Sequence, residues 1–135
     1  MTPQKVAEQF VAAINAHDVE RLASLMTSDH RFIDSLGAVV AGRDAVRKGW
    51  TFYFSMVPDY NLDISRSFVA EDGQTEAMLV GVASGLYGSD GISRLNSSWS
   101  TPAAFRALVR NGQIAEWQVY ADNEPIREQM RAAEI

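Results

Sequence analysis

The chain contains no cysteine among its 135 residues. This excludes disulfides, thiolate metal ligands and cysteine nucleophiles, and it fits a reducing compartment. Only two histidines are present, without the helical H-E-x-x-H spacing, so the sequence predicts no zinc site. It also lacks a glycine-rich phosphate loop leading into a helix and a G-x-S-x-G motif. These absences indicate a protein that needs no metal and no other cofactor.

Basic clusters and long apolar runs are also missing. The chain has 12 basic and 17 acidic residues, a net charge of -5, and its largest basic cluster is the pair Arg47–Lys48. Nucleic acid and anionic membrane surfaces attract basic patches, so neither is expected as a partner. The longest apolar run, residues 77–87, is interrupted by two glycines and is too short to cross a bilayer. Because the N-terminal residues lack the apolar segment of a signal peptide, we expect a cytoplasmic protein.

The remaining composition is that of a folded domain. Hydrophobic residues make up 47% of the chain and charged residues 21%, which is ordinary for a globular protein. The length fits one domain, which we place over residues 1–135. A domain of this size can bury a core and still enclose a pocket.

Periodic apolar residues predict helices in the first third of the chain. Thr2 and Pro3 are typical of a helix start, and Asp18 is a typical cap for a second helix. A short strand, a loop with two glycines and a third helix closed by Pro58 follow. The predicted elements are a helix from Pro3, a helix over 19–26, a strand over 30–35 and a helix over 43–57.

Alternating residues predict an antiparallel meander in the rest of the chain. The first strand of this meander places Leu62, Ile64 and Phe68 on one face. The predicted strands are 60–70, 74–87, 92–110 and 113–121, separated by turns at Asp72–Gly73, Asp90–Gly91 and Asn111–Gly112 and followed by a helical tail through Ala133. Pairing around the last turn puts Trp117 opposite Arg106 and leaves Trp99 beyond the end of the final strand. Helices set apart from an antiparallel sheet define the α+β class.

Four stretches resemble the nuclear transport factor 2-like superfamily, and most closely its SnoaL-type polyketide cyclases and ketosteroid isomerases. These stretches are residues 10–18, 22–26, 32–34 and 41–46. The resemblance implies a cone-shaped, curved antiparallel sheet wrapped by three N-terminal helices, the cystatin-like α+β barrel. It also implies a deep apolar pocket and a homodimer formed through the sheet.

The same resemblance implies a cofactor-independent enzyme that performs acid–base chemistry. The implied substrate is a small, apolar, oxygen-bearing molecule, and the implied reaction is an isomerisation, cyclisation, dehydration or hydrolysis. Since the superfamily also contains proteins without catalysis, two alternatives stay open. One is a non-catalytic protein that binds a hydrophobic ligand, and the other is a protein-association domain with an apolar outer sheet face and no cavity.

Asp34 is the first candidate catalytic residue. It falls where the resembled isomerases carry a catalytic carboxylate at the end of the first short strand, and it would act as a general acid–base. The alternative is an aspartate that caps the following loop through backbone N–H groups. Phe10 and Ala103 stand where the isomerases carry oxyanion donors, so steroid isomerisation itself is not expected.

His30 is the second catalytic candidate, and an aromatic set completes the site. On a straight strand His30 lies about 13 Å from Asp34, and its alternative role is that of a loop histidine at a strand start. The candidate ligand-binding residues are Phe10, Trp50, Tyr53, Trp99 and Trp117. Tyr53 and Trp99 could replace the missing donors, whereas core packing is the alternative for the whole set. Asn96, Ser98 and Ser100 form a polar face that we expect to be solvated or to face a dimer partner.

Overall fold

A computed structural model describes residues 2–72, 75–86 and 98–133 of the chain. The first half of the chain mixes helices and strands, and strands dominate the second half. The elements are α1 (Pro3–Asn15), α2 (Val19–Ser24), β1 (Met26–Ile33), β2 (Val39–Ala41), α3 (Arg43–Met56), β3 (Asn61–Val69), β4 (Glu76–Leu86), β5 (Ser98–Arg110), β6 (Gln113–Ala121) and α4 (Glu124–Ala133). The predicted turn at Asp90–Gly91, the strand start at Ile92, and Gly73 and Asn96 lie outside the described residues.

Side-chain caps fix the starts of the first two helices, as the sequence predicts. The Thr2 hydroxyl accepts a hydrogen bond from the Lys5 backbone N–H at 3.2 Å. The Asp18 carboxylate accepts one from the Arg21 N–H at 3.0 Å. These bonds satisfy amide groups that have no partner inside the first helical turn. Because α2 ends at Ser24, β1 begins four residues earlier than the predicted strand.

The six strands form one curved sheet that does not close. Its order is β2-β1-β6-β5-β4-β3, with β2 and β3 at the two edges. The pairing of β1 with β6 is parallel, whereas the other pairings are antiparallel. The predicted antiparallel meander is confirmed in β3 to β6, and the sequence pattern predicts no partner for β1. The whole meander separates β1 from β6, so no local turn signal could report their relative direction. The three exposed residues of β2 were expected to be loop.

A β-bulge in β6 changes the predicted register of Trp117. Leu108 lies opposite Glu116, but the next residue, Val109, lies opposite Ile114, so Ala115 is the extra residue. Trp117 therefore lies opposite Ala107 and not opposite Arg106. Trp99 lies beyond the part of β5 that pairs with β6, as predicted.

A second bulge, at Ser65 in β3, reverses the faces of the residues that follow it. Ile64 pairs with Gly81, and Arg66 pairs with the adjacent Val80. Phe68 consequently lies on the opposite face from Leu62, is 48% exposed, and carries the Arg66 guanidinium over its ring at 5.2 Å. The expectation that Phe68 shares the inner face of Leu62 was wrong for this reason.

The hydrophobic core lies between the helices and the inner face of the sheet. From α1, Phe10 and Ile14 are fully buried, and from the sheet Phe105 and Trp117 are 1% exposed or less. The apolar stripe of α3 covers the part of this core that adjoins β1 and β2. In the described part of the chain, the helices are too short or too polar to cross a bilayer.

Candidate functional site

A cavity of about 260 Å³ lies between α3, the β1–β2 loop, the end of β6 and the residue that precedes α4. This volume is near the lower end of the ~300–1,000 Å³ range of small-molecule pockets. Aliphatic side chains from three elements form part of its wall: Val40, Val46 and Val119. The cavity is therefore mainly apolar and of a size for a small organic molecule.

One face of α3 supplies four of the residues that line the cavity. Val46, Gly49, Trp50 and Tyr53 recur at the three- and four-residue spacing that aligns side chains on a helix. Gly49 leaves room between its neighbours, since a Cβ atom built there meets no other atom within 4 Å. The helical pattern of the sequence thus accounts for two of the aromatic residues expected to bind ligand, Trp50 and Tyr53.

Four aromatic rings meet at the cavity in a corner. The Trp50 ring lies 5.8 Å from that of Phe32 at 81° and 6.4 Å from that of Tyr53 at 90°. Tyr60, in the α3–β3 connection, lies 4.9 Å from Tyr53 at 89°. Burial raises the pKa of both tyrosines above the ordinary value, so each phenol keeps its proton and is able to donate a hydrogen bond.

Asp34 caps the β1–β2 loop and also lines the cavity. Its Oδ1 accepts hydrogen bonds from the backbone N–H groups of Leu36 and Ala38, both at 2.9 Å. Its Oδ2 has no hydrogen-bond partner within the described residues. One carboxylate oxygen therefore performs the capping role that sequence reasoning offered as the alternative, and the other makes no hydrogen bond to the described part of the chain.

Ser35 and Asn123 join the two sides of the cavity next to Asp34. The Asn123 side-chain amide donates a hydrogen bond to the Ser35 hydroxyl at 2.5 Å, and both residues line the cavity. This bond ties the residue before α4 to the β1–β2 loop. Sequence reasoning missed both residues, because a contact across 88 positions leaves no periodic signal. It also missed Tyr60, which it placed at the start of a strand.

His30 lies in the core and does not line the cavity. It is fully buried in β1, and its ring centroid lies 6.2 Å from that of Phe10. Its Nδ1 lies 2.7 Å from the Ile114 carbonyl oxygen, which can only accept, so Nδ1 carries the proton. Burial lowers the pKa of this imidazole, which keeps it neutral. The alternative, that His30 is a loop residue at the start of a strand, is incorrect, since β1 begins at Met26.

The other expected ligand-binding residues pack in the core. The Phe10 ring lies 4.7 Å from the Trp117 ring, which stacks on Phe105 at 5.4 Å. Trp99 reaches only the edge of the site, where its ring lies 6.0 Å from that of Tyr60. The cavity thus brings together Asp34, Trp50 and Tyr53 but not Phe10, Trp99, Trp117 or His30.

Two further sequence-based expectations concern polar groups. Ser98 and Ser100 are exposed on β5, as predicted for their face of the strand. The described residues contain no cluster of three or more side chains able to hold a metal ion.

Residues 7–117 match the SnoaL-like domain family. No curated protein is significantly similar to the sequence.

Solved structures share this fold over nearly the whole chain. A candidate polyketide cyclase from Pseudomonas putida superposes with a TM-score of 0.82 at 22% identity, over 96% of this chain and 98% of the other. A candidate SnoaL-like polyketide cyclase from Shewanella denitrificans superposes with a TM-score of 0.79 at 13% identity, over 96% of this chain and 97% of the other. A third structure is that of a Catenulispora acidiphila protein with a ketosteroid isomerase-like fold, in complex with trimethylamine. Its TM-score is 0.78 at 19% identity, over 96% of this chain and 93% of the other. The chain belongs to the SnoaL-like domain family, whose match spans most of its length.

Proposed function

We propose that this protein binds a small, apolar, oxygen-bearing organic molecule in the cavity and catalyses proton transfer on it, with Asp34 as the general acid–base. One observation carries the proposal: a carboxylate oxygen that makes no hydrogen bond to the described part of the chain belongs to a residue that lines an aromatic-walled cavity. The similarity to candidate polyketide cyclases and the small ligand of the Catenulispora protein support it.

The simplest chemistry is enolisation of a carbonyl compound. Asp34 Oδ2 removes a proton from the carbon next to the carbonyl, and the electron pair of the broken C–H bond forms an enolate. The proton then returns from Asp34 to the same or another carbon. The protonated Tyr53 phenol is the donor at the cavity for the enolate oxygen. A positioned general base contributes about 10²–10⁴-fold in rate, and an oxyanion donor about 10²–10³-fold.

The test is exchange of the α-hydrogens of 4,4-dimethylcyclohexanone for deuterium, followed by NMR in D₂O. We expect the protein to accelerate exchange and Asp34→Asn to lower the catalysed rate by about 10²-fold or more. The asparagine oxygen still accepts the two loop hydrogen bonds, so the cap is preserved. Asp63→Asn, on an exposed residue of β3, is the matched control and should exchange like the original protein. Equal rates for the original protein and Asp34→Asn would refute the catalytic proposal.

Non-catalytic binding of a hydrophobic ligand is the second candidate. The two hydrogen bonds that Asp34 Oδ1 accepts from backbone N–H groups favour it, because loop capping alone explains an aspartate at this position. A carrier should bind the ketone equally well before and after Asp34→Asn, and neither form should accelerate exchange. The protein-association alternative expects a filled or absent cavity, whereas the structure contains an open one.

A further inference from the structure

We propose that the cavity is built for an organic cation, such as a protonated or quaternary amine attached to the apolar, oxygen-bearing molecule. The inference rests on the proposed function, because it assumes that the cavity binds a small molecule. It adds the charge of the ligand and assigns the groups that recognise it.

The charge balance of the cavity is the first argument. Asp34 is acidic, and no lysine, arginine or histidine is found among the described residues that line the cavity. The other polar groups of the wall are neutral hydroxyls and an amide. An anionic ligand would be repelled by Asp34, and a neutral one would leave this carboxylate without a counter-charge at the cavity wall. A cation supplies the missing counter-charge.

The hydrogen bonds of Asp34 are the second argument. Two backbone N–H groups hold Oδ1 at 2.9 Å each, so the orientation of the carboxylate is set by the loop before any ligand arrives. The remaining oxygen, Oδ2, is therefore a preorganised acceptor and needs little reordering to meet a positive charge.

The aromatic corner is the third argument. The faces of aromatic rings carry partial negative charge and attract cations, with tryptophan the most effective. Phe32 and Tyr53 stand nearly at right angles to Trp50, so the rings turn their faces and edges in different directions around the cavity. Such a corner can surround an alkylammonium group with ring surface while Asp34 neutralises its charge.

Two ketones of the same shape test the inference: 1,1-dimethyl-4-oxopiperidinium, which is a cation, and 4,4-dimethylcyclohexanone, its neutral carbon analogue. We expect the cation to bind at least about tenfold more tightly when both dissociation constants are measured by calorimetry at low salt. Asp34→Asn should remove this preference: the affinity for the cation should fall about tenfold, while the affinity for the neutral ketone should change less than about twofold. Asp63→Asn, which changes the net charge equally, should retain the preference.

A second pair of variants keeps the test valid if Asp34→Asn does not fold. Tyr53→Leu removes a ring and should reduce the preference for the cation, whereas Tyr53→Phe keeps the ring face and should retain it. Equal or tighter binding of the neutral ketone to the original protein would overturn the inference. If exchange of the neutral ketone still depended on Asp34 in that case, the proposed function would stand. If neither ketone bound at millimolar concentration, both proposals would fall.

Discussion

His30 is held neutral inside the protein, and this should make stability depend on pH. Burial lowers its pKa in the folded state. The hydrogen bond to the Ile114 carbonyl and the nearby carboxylates of Asp29 and Glu116 raise the pKa, but by less than burial lowers it. The unfolded chain, with a histidine pKa of about 6.5, then binds more protons than the folded one. The free energy of unfolding should therefore be highest above about pH 7 and fall as the pH drops through about 6.5.

The check is a series of urea unfolding curves between pH 7.5 and 5, above the range in which most carboxylates titrate. We expect His30→Gln, which keeps a donor for the Ile114 carbonyl, to be less stable at pH 7.5 but to lose less stability on acidification. An identical pH slope for the original protein and His30→Gln would show that this imidazole is not the cause.

Site residues differ in how far the sequence could predict them. Helical spacing predicts that Trp50 and Tyr53 share one face of α3, whereas Asp34 was found through its position in the family resemblance. Trp117 was assigned to the pocket wall, but only three-dimensional packing decides whether an inward aromatic residue lines a cavity or fills the core. Asn123 was out of reach, because its partner Ser35 lies 88 positions away.

At the scale of elements, the bulge in β3 requires a glycine in the neighbouring strand. A Cβ atom on Gly81 would lie 2.0 Å from the Asp63 carbonyl oxygen and 2.8 Å from its carbonyl carbon, both backbone atoms. Backbone cannot move aside as the end of a flexible side chain can. Glycine within a strand commonly marks such a close approach.

We therefore expect Gly81→Ala to lower the free energy of unfolding by about 1–3 kcal/mol. The added methyl group would overpack this site, and the backbone shifts that relieve overpacking typically cost about that much. Gly49→Ala in α3 is the matched control, because its Cβ meets no atom within 4 Å. It should be neutral or stabilising by up to about 1 kcal/mol, the difference in helix propensity between glycine and alanine. Chemical denaturation of the three proteins measures both effects, and equal stability of Gly81→Ala and the original protein would contradict the explanation.

Local signals predicted the elements well but not their registers. Thr2 and Asp18 cap the helices they were expected to cap, and Asn111 and Gly112 form the expected turn with φ angles of 54° and 76°. The bulges at Ser65 and Ala115 were not predicted, because a bulge depends on how a strand packs against its neighbours. Two residues, Arg66 and Val69, break the alternation of β3 in the sequence, and the break at Arg66 adjoins the first bulge.

At the scale of the whole molecule, the outer face of the sheet exposes large apolar side chains. Val80, Val82 and Tyr120 are 37%, 41% and 48% exposed, and Val80 and Tyr120 both lie opposite Ala104 in the sheet. Salt bridges border this patch on one side, joining Arg106 to Glu76 and Glu116 at 2.8 and 2.5 Å. An apolar centre with a polar border suits an association surface.

We expect a homodimer through this face, in line with the family resemblance. Sedimentation at micromolar concentration should give about twice the 14.9 kDa of the chain. Val82→Lys should shift the protein to the monomer, because it puts a charge within the apolar patch. Phe52→Lys, on a 64% exposed residue of α3, is the control and should not change the assembly. A monomer mass for the original protein would remove the dimer and leave the cavity proposals untouched.

The double use of Asp34 has an evolutionary consequence. The same side chain caps the β1–β2 loop and lines the cavity. The length of that loop and the chemistry of the cavity therefore cannot change independently during evolution. A relative that gains or loses one residue between Asp34 and Ala38 would lose the two anchoring N–H groups, and with them the fixed orientation of this carboxylate at the cavity.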